Sequence, residues 1–163
     1  MYRVDVTEGP GNGVRILNQP APPPFKESVR CAEQNLYVRA KELVGDRDPR
    51  QHEFSVQLRA FDASKSGGAV GVGALLALCS ALLQKSLKGG LAVAGGLNLG
   101  GSIEPVYNPI TVVEIAIEKG ANSILIPIGT RKQLNELPDD LATKIIVLYY
   151  SDSRDALLKA LAV

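Results

Sequence analysis

The chain has 163 residues, an apolar fraction of 45%, a charged fraction of 21% and a formal net charge of +1. That length is enough for one domain with a real hydrophobic core, and that balance marks a globular chain rather than a disordered one. The near-neutral charge gives no global argument for a nucleic-acid or membrane surface, and the longest apolar stretch, around 69–83, is too short and too broken by glycine to span a bilayer. Residues 2–8 place Tyr2, Val4 and Val6 in alternation with polar partners, which predicts a strand. Gly9-Pro10-Gly11-Asn12-Gly13 is a turn cluster, and Val14-Arg15-Ile16-Leu17 is expected to return as the second arm of a hairpin. Met1-Tyr2-Arg3-Val4-Asp5 has no apolar leader, so no signal peptide is expected, and the abrupt strand suggests a domain cut from a longer polypeptide. Pro20-Ala21-Pro22-Pro23-Pro24 is a stiff loop that can lead into a helix. Val29, Ala32, Leu36, Ala40 and Leu43 then recur at spacings of three and four, predicting one continuous helix to about Val44, stopped by Gly45.

After a polar loop at 46–51, Phe54, Val56, Leu58 and Ala60 alternate with polar residues as a half-buried strand. The Gly-rich segment 64–73 opens an almost wholly apolar helix to about Leu83, which belongs in the middle of the domain. A short strand at 91–94 follows, then strands at 97–99 and 102–105 joined by Gly100-Gly101, a hairpin signal. The remaining pattern is a helix at 111–118, a buried strand at 123–126, short helical pieces at 130–137 and from Pro138, and a strand at 145–149. A terminal amphipathic helix at 153–161 is expected to take Ser151 or Ser153 as its N-cap. The order is α/β (α+β): a mixed sheet covered by helices. The domain reading is a single unit over 1–163, with an N-terminal hairpin and helix at 1–50 and a core at 53–163. Cys31 and Cys79, the two cysteines, fall in predicted helices and are expected to be reduced and buried. There is one histidine, and no Cys/His cluster has zinc-site spacing, so no metal site is expected.

Several fragments together resemble the proteolytic domain of Lon-type ATP-dependent proteases. Lys65-Ser66-Gly67-Gly68-Ala69-Val70-Gly71 stands where that family has Lys-Asp-Gly-Pro-Ser-Ala-Gly, and Ala77-Leu78-Cys79-Ser80-Ala81-Leu82 continues the helix as the family does. Gly95, Leu99, Gly101, Ile103 and Pro105 match the family's Gly-x-x-x-Leu-x-Gly-x-Val-x-Pro hairpin. Ile124-Leu125-Ile126-Pro127 is close to the family's Val-Leu-Ile-Pro, and Leu134–Pro138 and Asp155-Ala156-Leu157 fit its C-terminal part. Within this fold the chain most resembles the C-terminal domains of Lon-related proteins of BREX phage-defence systems. The shared points are the Pro10–Gly13 turn, Ala77–Ser80, Leu99-Gly100-Gly101, Tyr150-Ser151-Asp152 and Lys159-Ala160-Leu161. The resemblance implies a larger cytoplasmic AAA+ ATPase with this domain at its C-terminal end, forming a homo-oligomeric ring that acts on DNA. RadA-type repair ATPases offer a second precedent: their Lon-like domain lacks the catalytic dyad and serves as an assembly scaffold.

The family's catalytic serine and lysine correspond to Ala69 and Ile110 here. A hydroxyl nucleophile needs an adjacent base, and neither a methyl nor a sec-butyl group supplies one. No catalytic residue is therefore expected. The alternative is an atypical serine peptidase using Ser66 and Lys65, but consecutive side chains in an extended segment point apart; Ser64 has the same weakness. Gly67, Gly68, Gly71 and Gly73 lack the closing Gly-Lys-Ser/Thr of a phosphate loop and read as tight-turn and packing glycines, so ATP would bind a separate AAA+ segment and this chain no cofactor. His52 reads as a solvated loop residue and Asp139-Asp140 as helix-terminal carboxylates. Arg47 and Arg50 are diluted by Asp46 and Asp48.

Overall fold

The structure is a computed structural model; it describes residues 2–17, 23–60, 70–104 and 106–161, without the side chains of 2 and 58–60. The chain opens with β1 (Tyr2–Pro10) and β2 (Gly13–Ile16), followed by helices α1 (Pro23–Val38) and α2 (Ala40–Val44) and strand β3 (His52–Ala60). The buried helix α3 (Gly71–Leu83) follows, then β4 (Leu91–Val93), β5 (Gly96–Leu97), β6 (Ile103–Glu104), α4 (Pro109–Glu118) and β7 (Ser123–Pro127). Two short helices, α5 (Arg131–Leu134) and α6 (Asp139–Ala142), lead to β8 (Ile146–Tyr150) and α7 (Ser153–Ala160). The described strands form a mixed sheet β1-β3-β2, a parallel sheet β4-β7-β8 and the small β5-β6 ladder. The α/β expectation with a mixed sheet under helices is met.

The N-terminal hairpin is not formed. β1 pairs antiparallel with β3 from Tyr2↔Ala60 to Pro10↔His52, and β2 pairs parallel with β3 from Gly13↔Glu53 to Ile16↔Val56. The chain does reverse at Gly11 (φ +134°) and Gly13 (φ +87°), but β3 lies between the two arms. Phe54 and Val56 are buried in β3, and the central position pairs this strand on both edges.

Helix α3 sits at the centre of the main core. Val72, Leu75, Leu76, Leu78, Cys79 and Leu82 are buried around it, and it packs on α1, β1 and α7. The predicted helical face Val29, Ala32, Leu36 and Leu43 is buried, with Ala40 packed beside it. The helix is not continuous: it breaks at Arg39 (φ −109°, ψ 24°) into α1 and α2. β7 explains the second core. Leu125 faces the α3 side, whereas Ile124 and Ile126 join Val113 and Ala116 of α4, as the period of two requires. A parallel strand covered on both faces reads as a continuous apolar run, as in Ile124-Leu125-Ile126.

Three residue readings change. Cys79 is buried, but Cys31 is only half-buried, because it lies one position off the inward stripe of α1. Both thiols are free. His52 is not a solvated loop residue: it opens β3 and its Nδ1 lies 2.6 Å from Glu8 Oε2, half-buried across the β1–β3 pair. The N-cap of α7 is Asp152, not Ser151 or Ser153; its carboxylate accepts from the Asp155 N–H at 2.8 Å. Asp155 in turn accepts from the Ser151 N–H at 3.0 Å, a reciprocal cap of the capping-box kind. The predicted 130–137 helix is shorter, a 3-10 turn at Ile128–Thr130 followed by α5. No described helix is long and apolar enough to cross a membrane.

Candidate functional site

The parallel sheet carries a cleft at the carboxyl ends of β7 and β8, where open α/β sheets place their ligands. Its volume is about 610 Å³, and its walls come from three segments: Ile103, Glu104 and 106–108 before α4, 127–130 with Gln133 after β7, and Tyr150-Ser151 at the end of β8. Pro105 lies outside the described residues. Glu104 is the one charged side chain among the described residues lining the cleft. Two of its lining side chains are well exposed, Tyr107 at 85% and Ile128 at 51%.

Tyr150 fixes the floor. The ring is buried and its hydroxyl donates to the Ala94 carbonyl at 2.7 Å. Burial holds this phenol well above its ordinary range, so it is a neutral donor. Gly95 makes the approach possible. Its φ is +141°, and a Cβ there would lie 1.9 Å from the Tyr150 hydroxyl. Thr130 is committed as well, donating to the Pro127 carbonyl at 2.8 Å.

Beside the cleft, a hollow of about 230 Å³ is lined by Asn108, Pro109, Ile110, Thr111, Gln133 and Glu136. This hollow holds the position expected to carry a catalytic lysine. Ile110 sits in the first turn of α4, with Pro109 before it and Asn108 in the left-handed region at φ 51°. Its side chain is half-buried against the cluster of Val113, Ala116 and Ile124. An aliphatic side chain packed there can neither take nor give a proton.

Ser64, Lys65, Ser66, Gly67, Gly68 and Ala69 fall within 61–69, outside the described residues. The helix that follows them is placed. Gly71 opens α3 so close to β5 that a Cβ would meet Leu97 Cβ at 2.9 Å, and the Val72 N–H points to the Gly95 carbonyl at 3.4 Å. Of the four glycines read from sequence as tight-turn and packing residues, Gly71 and Gly73 are described and sit in α3: Gly71 is tight against Leu97, and Gly73 is looser, 3.9 Å from Val93. Of the other candidates, His52 pairs with Glu8, and Arg50 lies 5.5 Å over the Tyr37 ring. Asp139 and Asp140 open α6 without a side-chain cap bond. No group of three or more metal-binding side chains occurs among the described residues. Sequence reasoning missed the cleft lining. Glu104, Tyr107, Gln133 and Tyr150 are scattered along the chain, and the signal that could have found one of them is Tyr149-Tyr150, an aromatic pair at a strand end.

The profile of the Lon protease (S16) C-terminal proteolytic domain matches residues 3–163. The chain belongs to this Lon family. Among curated proteins, the Lon domain is 29% identical over 164 residues to the Lon-like protease BrxL of Escherichia coli O9:H4 (strain HS), covering 100% of this chain and 24% of that protein. It is 25% identical over 138 residues to the Lon-like protease BrxL of Bacillus cereus (strain H3081.97), covering 85% of this chain and 20% of that protein. The Lon protease of Methylocella silvestris is 27% identical over 158 residues, 96% of this chain and 20% of the protease. The Lon domain thus spans a quarter or less of these relatives' lengths.

Proposed function

We propose that this Lon domain is catalytically degenerate and serves the assembly of a larger AAA+ ATPase in BREX-type phage defence. One observation carries the reading: both positions of the family's serine/lysine dyad are aliphatic, Ala69 and Ile110, and Ile110 is packed against a core cluster rather than held free in a polar site. Losing both members of a unit that acts together removes several orders of magnitude of rate. The likeness to the two BrxL proteins over most or all of this chain supports the phage-defence context. On this reading ATP binds a separate AAA+ segment, the full-length protein forms a cytoplasmic homo-oligomeric ring, and DNA contact belongs to that full-length protein.

The test is activity. The domain is incubated with a fluorophosphonate probe, casein and a fluorogenic peptide, beside Ser66→Ala. No labelling and no turnover are expected from either chain. The second reading, an atypical serine peptidase using Ser66 and Lys65, requires turnover that disappears in Ser66→Ala. That outcome would overturn the degenerate reading.

A further inference from the structure

Helix α1 reaches the β5–β6 hairpin through two side chains one turn apart. Asn35 is 1% exposed. Its Nδ2 donates to the Cys31 carbonyl at 2.8 Å within the helix and to the Asn98 carbonyl at 3.0 Å in the hairpin loop. Its Oδ1 accepts from Arg39 Nε at 3.4 Å. The Arg39 guanidinium then donates to the Gly100 carbonyl at 2.6 Å. Gly101 leaves room for it: φ is +88°, and a Cβ there would lie 2.2 Å from an Arg39 terminal nitrogen. The loop that receives these bonds is closed on itself. Gly101 N–H donates to the Asn98 carbonyl at 3.0 Å and Ser102 N–H to Asn98 Oδ1 at 3.0 Å.

The same hairpin faces two functional regions. Leu97 of β5 presses on Gly71 at the start of α3, two positions after Ala69. Ile103 and Glu104 of β6 line the cleft. Arg39 itself is the residue at which α1 gives way to α2. Apolar packing tolerates sliding, whereas a buried amide with both N–H groups engaged fixes one position, because an unpaired polar group there is costly.

We propose that Asn35 and Arg39 form a clamp through which the α1–α2 break sets the position of the β5–β6 hairpin, so that a shift of α1 reaches both the start of α3 and the cleft wall. Helix α1 is then a control element of the site, whether or not the domain cleaves peptides. Asn35 and Arg39 act as positioning residues.

Cys31 is a native reporter of this contact. It is half-buried on α1, and its own carbonyl accepts from Asn35 Nδ2 at 2.8 Å, so its exposure follows the Asn35 contact. Cys79 is buried and stays silent in the folded chain. The experiment follows thiol-labelling rate and amide hydrogen exchange in the whole chain for the native sequence, Arg39→Ala and Arg39→Lys. Arg39→Ala is expected to accelerate Cys31 labelling and exchange at Val72 and across 96–104 on the order of tenfold, as local opening does. Arg39→Lys restores part of the protection, while exchange in the middle of α3 and the denaturation midpoint hold. Unchanged labelling and exchange overturn the proposal. So does a parallel acceleration through α3 and β7, which would mean general loss of stability. Where Arg39→Ala fails to fold, Gly101→Ala displaces the guanidinium from the hairpin side, and the same readouts decide.

Discussion

Cys79 lies at the centre of α3 with no exposed surface, and desolvation lifts its thiol from 9.0 to about 12. As pH rises the unfolded chain ionises first, while the folded chain still holds the proton. The stability from this group is complete below pH 9.0 and is lost as pH climbs toward about 12, at about 1.4 kcal/mol per pH unit. Tyr150, also raised by burial above its ordinary 10.0, steepens the fall on the alkaline side. Urea titrations from pH 8 to 11 are expected to show this decline, with a shallower slope in Cys79→Ala; an unaltered slope would remove the thiol as its source. Tyr150→Phe leaves the Ala94 carbonyl without its buried donor and is expected to cost about 1–2 kcal/mol in the same assay. Gly95→Ala costs more, because the φ of +141° strains any side chain and the new Cβ meets the Tyr150 hydroxyl.

Strand β8 shows how an element was legible while its partners were not. Its apolar run predicted a strand, but nothing local said that it would be an edge in the order β4-β7-β8. The Ile146 N–H bonds the Asn122 carbonyl beside β7, so the alternating Tyr149 backbone faces outward. Lys159 covers it, reaching back from α7 to donate to the Tyr149 carbonyl at 2.5 Å while pairing with Asp155 at 3.3 Å. A lysine on an open strand discourages pairing with another chain. Lys159→Ala is expected to raise light scattering on heating while changing stability by less than about 1 kcal/mol, since the ion pair is partly exposed. A loss of stability with unaltered scattering would refute the edge role. Asp152→Ala removes the N-cap of α7 and is expected to cost about 1 kcal/mol in urea unfolding. The misplaced cap has a simple cause: Ser151, Asp152 and Ser153 are all good caps, and the reciprocal bond to Asp155 picks the middle one.

Among the described residues the domain leaves Val38, Leu99, Tyr107, Ile146 and Leu158 more than 60% exposed, on different helices, loops and a strand. If assembly is its role, the isolated domain self-associates, weakly but with a sedimentation coefficient that rises with concentration. A strict monomer at high protein concentration in analytical ultracentrifugation would weigh against the scaffold proposal.

The sequence by itself determined most of the helices and strands, because periods of two and between three and four record which side of each element meets the core. It also carries the proposal of a lost dyad, since the family resemblance sets Ala69 and Ile110, which have no nucleophilic or proton-transferring group, at the serine and lysine positions. Tertiary structure decided the rest. Alternation in 2–8 and 14–17 marks strands but carries no information on partners, so the insertion of β3 between them had to be seen. The single spacing pattern of 29–43 could not show the break at Arg39, nor that the Arg39 side chain donates to the Gly100 carbonyl 61 residues away. The cleft, too, belongs to tertiary structure: it exists only where the ends of β7 and β8 meet the loop before α4, and burial alone turns Tyr150 from a strand-ending aromatic into a fixed, neutral donor.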